Sequence, residues 1–250
     1  SFKNYNIVFM KRITVFTFLF FSISFFFGQM NPEKWKEDIN FLRENLSKKH
    51  YNLFFKREKP QFDKDLDNLI SKTKTISDLE IALKLQQIIA KQGDTHTNIS
   101  WGKYLSNDKI LPLRFFYFED GIYVTLTNQK NKELLGKKII KINGFDIKKV
   151  TDSISSLFVN ENKAIYKSKS LTGLHSTQLL RFFGFAKNDS IKITFQNSNL
   201  LTEKTLLPEE IKDDDKIKIN PQNITFIREN KKKIFEKKYF EKEKILYVLY

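Results

Sequence analysis

Between Ala90 and Leu111 the hydrophobic pattern of this chain changes period, from that of a helix to that of a strand. Upstream, Trp35, Ile39, Leu42 and Leu46 recur with helical spacing. So do Phe62, Leu66, Leu69 and Ile70, and then Leu79, Ala82, Leu83, Ile88 and Ile89. Side chains three and four apart share one helix face, so three amphipathic helices are predicted before residue 91. Downstream, Leu113–Phe118, Ile122–Leu126, Lys138–Ile142 and Ile191–Phe195 are short runs rich in β-branched and aromatic residues. Such runs suit a pleated, half-buried sheet. Helices followed by strands, rather than alternating with them, predict an α+β fold.

Local punctuation supports these elements. Asn31-Pro32 is a helix-start pair, with a capping Asn followed by Pro at the first helical position. Ser77-Asp-Leu-Glu80 is a capping box, and Gly93 can take the left-handed conformation that closes the third helix. Asn98-Ile-Ser-Trp101 alternates as a strand would, and a turn is expected around Asn107-Asp108. Glu119-Asp-Gly121 and Asn143-Gly144 read as hairpin turns, the second followed by a short strand at Asp146-Ile147. Val150 to Phe158 and Leu171 to Phe185 read as helices. The polar tract Gln196 to Asn223 reads as a linker or surface excursion. The run from Ile245 to Tyr250 reads as a buried strand, from which we expect a sequence cut inside a larger domain.

Composition narrows the function. With 250 residues, 40% hydrophobic and 29% charged, the chain suits a folded protein. Its formal charge of +15 comes from lysines spread among Asp and Glu, without a helix-turn-helix, zinc-finger or aromatic RNA-binding signature. A solvated surface is therefore expected, and no nucleic-acid partner. The strongly basic run Arg228–Lys244 is read the same way. Three histidines and no cysteine predict no metal and no cofactor.

Near the start, Met10-Lys11-Arg12 precedes the apolar run Ile13 to Phe27 and then Gly28-Gln29. A positive flank, a short apolar core and a small residue are the parts of a secretory signal peptide, assigned to residues 1–29 with initiation at Met10. The expected location is secreted or periplasmic, in the cell envelope. Membrane contact is expected only through this segment, if it stays uncleaved.

The chemistry-bearing candidate is His96, in Lys91-Gln-Gly-Asp-Thr-His-Thr-Asn98. A helix exit presents an imidazole at a fixed angle, and Asp94 or Thr95 could fix its tautomer. The same stretch serves equally as a structural turn whose histidine bonds a carbonyl. His50 and His175, in apolar connector or helical contexts, are read as structural.

Four stretches, in this order, resemble the tail-specific or C-terminal-processing serine peptidases, in their tricorn-like branch. The first is Trp35-Lys-Glu-Asp-Ile39 with Leu42 and Leu46, followed by His50-Tyr-Asn-Leu-Phe54. The second is Ile88-Ile-Ala-Lys-Gln-Gly-Asp-Thr-His-Thr97, similar to the family's Gly-Asp-x-His-Thr element. The third runs from Leu111-Pro-Leu113 through Asp120-Gly-Ile-Tyr-Val124 to Leu135-Gly136-Lys-Lys-Ile-Ile-Lys-Ile-Asn-Gly144, and looks like a PDZ-type domain. The last is Lys244-Ile-Leu-Tyr-Val-Leu-Tyr250, similar to the first strand of a crotonase-like catalytic domain.

The resemblance implies a helical unit (30–97), a PDZ-like domain (98–200), a linker (201–243) and the first strand (244–250) of a truncated α/β catalytic domain. It implies a serine-type endopeptidase acting on protein or peptide chains, engaged through their C-terminal end. His96 matches the family's histidine and is the implied general base. Gly121, Ile122 and Tyr123 are the implied PDZ-type edge, where a peptide adds as a strand. No serine in the chain has the context of the family's nucleophile, so the 250 residues alone are expected to be inactive. The alternative is a non-catalytic peptide-binding envelope protein that uses the PDZ-like unit.

Overall fold

A computed structural model describes residues 30–219 and 234–249. The predicted signal peptide, residues 1–29, lies outside them, as do residues 220–233 and Tyr250. Among the described residues no helix is long and apolar enough to cross a membrane.

Three helices come first: α1 (Pro32–Lys49), α2 (Lys59–Ile70) and α3 (Asp78–Ala90). Asn31 caps α1, its side chain accepting the Glu33 N–H at 3.0 Å. Ser77 and Glu80 complete both arms of the capping box at the start of α3. These side chains satisfy backbone N–H groups that a helix start leaves free. Helix α3 is buried over most of its surface, with Ile81, Ala82, Leu83, Leu85 and Ile89 among its buried residues. A helix of that kind belongs at the centre, and α1 and α2 cover it with Trp35, Ile39, Phe62, Leu66 and Leu69. Trp35 Nε1 donates to Asp78 Oδ1 at 2.6 Å, tying the start of α1 to the start of α3.

The second unit is built on a seven-stranded antiparallel sheet, counted among the described residues. Its strands are β1 (Leu113–Phe118), β2 (Gly121–Asn128), β3 (Lys138–Ile142), β4 (Phe145–Asp146), β5 (Ile191–Asn197), β6 (Leu200–Leu206) and β7 (Lys216–Lys218). The main path is β1-β2-β3-β5-β6, with β4 on β3 and β7 on β2. Asn143 (φ 47) and Gly144 (φ 83) form the two-residue turn between β3 and β4. Two positive φ values there are what a type I′ hairpin requires. Helices α4 (Ile147–Ser155), α5 (Lys163–Lys169) and α6 (Thr177–Phe182) follow β4. Val150, Ile154, Leu174 and Leu180 pack on Val124, Ile139, Ile193 and Phe195 of the sheet to form its core. A third cluster, Leu83, Leu157 and Leu179 with Trp101 and Phe158 beside them, joins the two units. Mixed helices and antiparallel sheet confirm the α+β class.

Four local expectations need correction. Asn98–Trp101 is not a strand, because the Ile99 N–H is taken by the Gln86 side chain and Trp101–Tyr104 turns as a 3₁₀ helix. The predicted helix Leu171–Phe185 is regular only over Thr177–Phe182, and α5 precedes it. The tract read as linker contains β6, paired along its length with β5, and β7, paired with β2. The terminal run is not buried: Ile245–Leu249 forms β9, which pairs with β8 (Glu236–Phe240) as a two-stranded sheet. Ile245 and Leu246 are more than half exposed in that hairpin.

Candidate functional site

The residues around His96 are placed by two segments packed on each other: the connector after α1, from His50 to Arg57, and the loop after α3, from Lys91 to Asn98. Helix α3 ends at Ala90, and Gly93 reverses the chain with φ +91. An added Cβ at Gly93 would come within 2.7 Å of Lys56 Cδ and 3.0 Å of Phe55 Cζ, so the connector passes close over the loop. Asp65 of α2 reinforces this packing by accepting from Arg57 Nη1 at 2.7 Å and Lys91 Nζ at 3.2 Å. Its carboxyl is held below the usual range, chiefly by the Arg57 guanidinium.

Asp94 is the hub of the loop. Its Oδ1 accepts the backbone N–H of His96 at 3.0 Å. Its Oδ2 accepts the Thr97 hydroxyl and faces His50 Nε2 at 3.0 Å. Three donors on one carboxylate favour the ionised form strongly. The Thr97 hydroxyl, then the His96 N–H, then His50 hold Asp94 well below the ordinary carboxylate range. Farther on, buried Gln86 accepts the Ile99 N–H at 2.7 Å, and Asn98 donates to the Thr95 carbonyl at 3.0 Å. The loop backbone is therefore held from both ends.

His96 itself projects into solvent, its side chain 94% exposed. Nδ1 lies 3.5 Å from Asp94 Oδ1 and 3.5 Å from Thr95 Oγ1, the two groups named from sequence as possible tautomer partners. Both distances lie at the outer limit of a hydrogen bond. An exposed imidazole on a fixed backbone can exchange a proton with an approaching group.

The other two histidines differ. His50 is one-fifth exposed and hydrogen-bonded. His175 is partly buried and has no carboxylate partner among the described residues; burial first, and then the Arg114 charge, push its pKa down to about 4. A ring under those conditions stays neutral and packs, in keeping with a structural role.

The predicted peptide edge needs relocation. Gly121, Ile122 and Tyr123 open β2, where they pair with Phe118, Tyr117 and Phe116 of β1. On its other side Tyr123 pairs with Lys138 of β3. Strand β2 therefore lies between β1 and β3 rather than at the end of the sheet. Ile122 is buried, and Gly121 (φ +154) lies against the Lys138 side chain. Among the described residues strand β1 pairs with β2 alone, so the outer edge of the hairpin belongs to Phe115, Phe116 and Tyr117. Along it runs an open groove of about 490 Å³, walled by Lys167 and Leu171 in and just after α5. The Lys167 ammonium sits 5.3 Å from the centre of the Tyr117 ring.

Sequence reasoning missed Gln86, α5 and the link from His50 to Asp94. A glutamine within an apolar helix was the available signal for the first. The others left none. Among the described residues no cluster of His, Asp and Glu is suited to a metal.

No protein-family model matches this chain. No curated protein matches it either. Among solved structures it is similar to mature CPAF, at a TM-score of 0.48 and 15% identity. That likeness covers 70% of this chain and 34% of CPAF. A point mutant of CPAF gives a TM-score of 0.44 at the same identity and coverage. The chain spans about a third of the length of these structures.

Proposed function

We propose that this chain is part of an exported serine-type endopeptidase of the tail-specific kind, in which His96 is the general base. The serine hydroxyl it serves would come from polypeptide outside these 250 residues. In this reading the helical unit presents the base, the sheet unit is PDZ-like and handles the substrate chain, and β8–β9 belongs to a crotonase-like domain. Export rests on residues 1–29 alone.

The observation that supports this most is the contrast between an exposed ring and a held backbone. His96 is 94% exposed in its side chain, yet its N–H is bonded to Asp94 and its loop is pinned by Gln86. With Nδ1 turned toward Asp94, Nε2 is the atom open to a partner. A neutral imidazole so placed can take the serine proton during attack on the peptide carbonyl and return it to the leaving amine.

The test is cleavage of an unstructured peptide by the protein that contains the serine. His96→Ala should lower kcat by about 10²–10⁴-fold, the range of a general base. Retention of kcat within twofold would leave the histidine structural and favour a Ser–Lys dyad.

A second reading, a non-catalytic peptide-binding envelope protein, is favoured by the open edge of β1. A strand paired on one side only, beside an apolar groove, can accept an extended peptide as a further strand. Titration with extended peptides should then shift the amides of Phe115, Phe116 and Tyr117. Shifts confined to the β1–β2 turn would remove that reading.

A further inference from the structure

His50 closes helix α1, its N–H donating to the Leu46 carbonyl at 2.9 Å. Both ring nitrogens are engaged. Nδ1 faces the Asn52 N–H at 3.1 Å and must therefore accept. In a neutral imidazole the proton then lies on Nε2, which donates to Asp94 Oδ2 at 3.0 Å. The tautomer follows from this network of partners. A ring fixed at both ends, and 19% exposed in its side chain, holds one carboxylate oxygen in place. The other oxygen of the same carboxylate meets the His96 N–H and lies 3.5 Å from His96 Nδ1.

We propose that His50 is a positioning residue for His96, acting through Asp94. By fixing Oδ2 it sets the plane of the carboxylate, and with it the direction from which Oδ1 faces the His96 ring. Asn52 fixes His50, His50 fixes Asp94, and Asp94 biases His96 toward the form with the proton on Nδ1 and the lone pair on Nε2. Such relays of one oriented group by another are a general means of holding a reactive imidazole. Arg57 and Lys91, in the same two segments, are both bonded to Asp65. Thr97 is the other side chain on Asp94. The value of the relay to catalysis rests on the general-base reading of His96; the relay itself does not.

The experiment uses this chain labelled with ¹⁵N. With only three histidines, each imidazole can be assigned by replacement. At neutral pH His50 should show the proton on Nε2, and His96 should favour Nδ1. His50→Leu removes the donor to Asp94. The His96 ring should then lose its preference, and its amide should exchange about tenfold faster, as for one lost hydrogen bond. His50→Gln, which keeps an N–H donor, should restore both, a rescue that helix-end packing alone would not give. If His50→Leu does not fold, Asp94→Asn supplies the comparison and should abolish the His96 preference. The proposal is overturned if His96 keeps its tautomer and exchange rate in His50→Leu, or in Asp94→Asn where the first variant is unfolded. It is also overturned if His50 carries its proton on Nδ1. A null result for His96→Ala in cleavage would sink the general-base reading while leaving these signals unchanged, so the two failures are distinguishable.

Discussion

Gln86 Nε2 donates to the Leu157 carbonyl at 2.7 Å, across 71 residues of sequence. The same side chain accepts the Ile99 N–H through Oε1. One amide on the central helix thus grips the helix exit of the sheet unit and the irregular segment that leaves the His96 loop. Burying a polar side chain is costly unless its hydrogen bonds are met, and here both ends are met.

Replacing Gln86 by Ala should leave the Leu157 carbonyl and the Ile99 N–H without partners. An orphaned buried group costs about 1–3 kcal/mol and the part-buried Ile99 N–H less, so a total of roughly 2–4 kcal/mol is expected in urea unfolding. Exchange at the Ile99 amide should rise with it. A loss under about 1 kcal/mol would mean that water takes both sites.

At the start of the same helix, Ser77→Ala removes the hydroxyl that accepts the Glu80 N–H and donates to the Glu80 carboxylate, while the bond from the residue 77 backbone N–H to Glu80 remains. The expected cost is about 1 kcal/mol, typical of an N-cap. Ser77→Asp should retain most of it. The midpoint of chemical unfolding reads both.

These features differ in how far the sequence declares them. The caps at Asn31 and Ser77 and the apolar spacing of α1 to α3 are local, so they were legible. So were β1, β3 and β5, whose alternating residues face a core. Helix α5 was not, since Lys-Ala-Ile-Tyr-Lys-Ser-Lys has no sustained apolar face and none of its residues is buried. Strand β6 was hidden because it lies at the outer end of the sheet, where Leu200 and Leu201 remain exposed. At the site, the loop bearing His96 was visible as a helix exit. Its link to His50 joins Asp94 to a residue 44 positions away, a contact no periodicity encodes. Likewise a hairpin declares two strands but not which is outermost. The pairing of β3 and β7 with β2 makes that choice, and it moves the open edge from Gly121 to β1.

Gly93→Ala tests the loop itself. With φ +91 the position lies where an L side chain is strained, at a cost of roughly 1–2 kcal/mol. The added methyl also meets Lys56 Cδ and Phe55 Cζ, both side-chain atoms that can move aside. Unfolding should therefore show about 1–2 kcal/mol lost, with no larger penalty from packing. A Gly93→Ala chain as stable as the parent would show that the loop relaxes to a negative φ.

His175 gives the fold a pH dependence of definite sign. Its folded pKa, about 4, lies below the unfolded value near 6.5. Between those values the unfolded chain binds a proton at this site and the folded chain does not. Its contribution to stability is thus complete above pH 6.5, declines as pH falls through the window, and is gone by pH 4. The full difference amounts to about 3 kcal/mol at most, and less where solvent reaches the ring. Urea unfolding at pH 7.5 and pH 5 should show the loss in the parent chain. His175→Gln should remove most of it, because that side chain does not titrate. Asp94, whose pKa is shifted downward, acts in the opposite corner: its stabilisation is retained throughout this window and fades only in stronger acid. A parent chain with equal stability at the two pH values would show that the His175 ring is solvated enough to protonate in place.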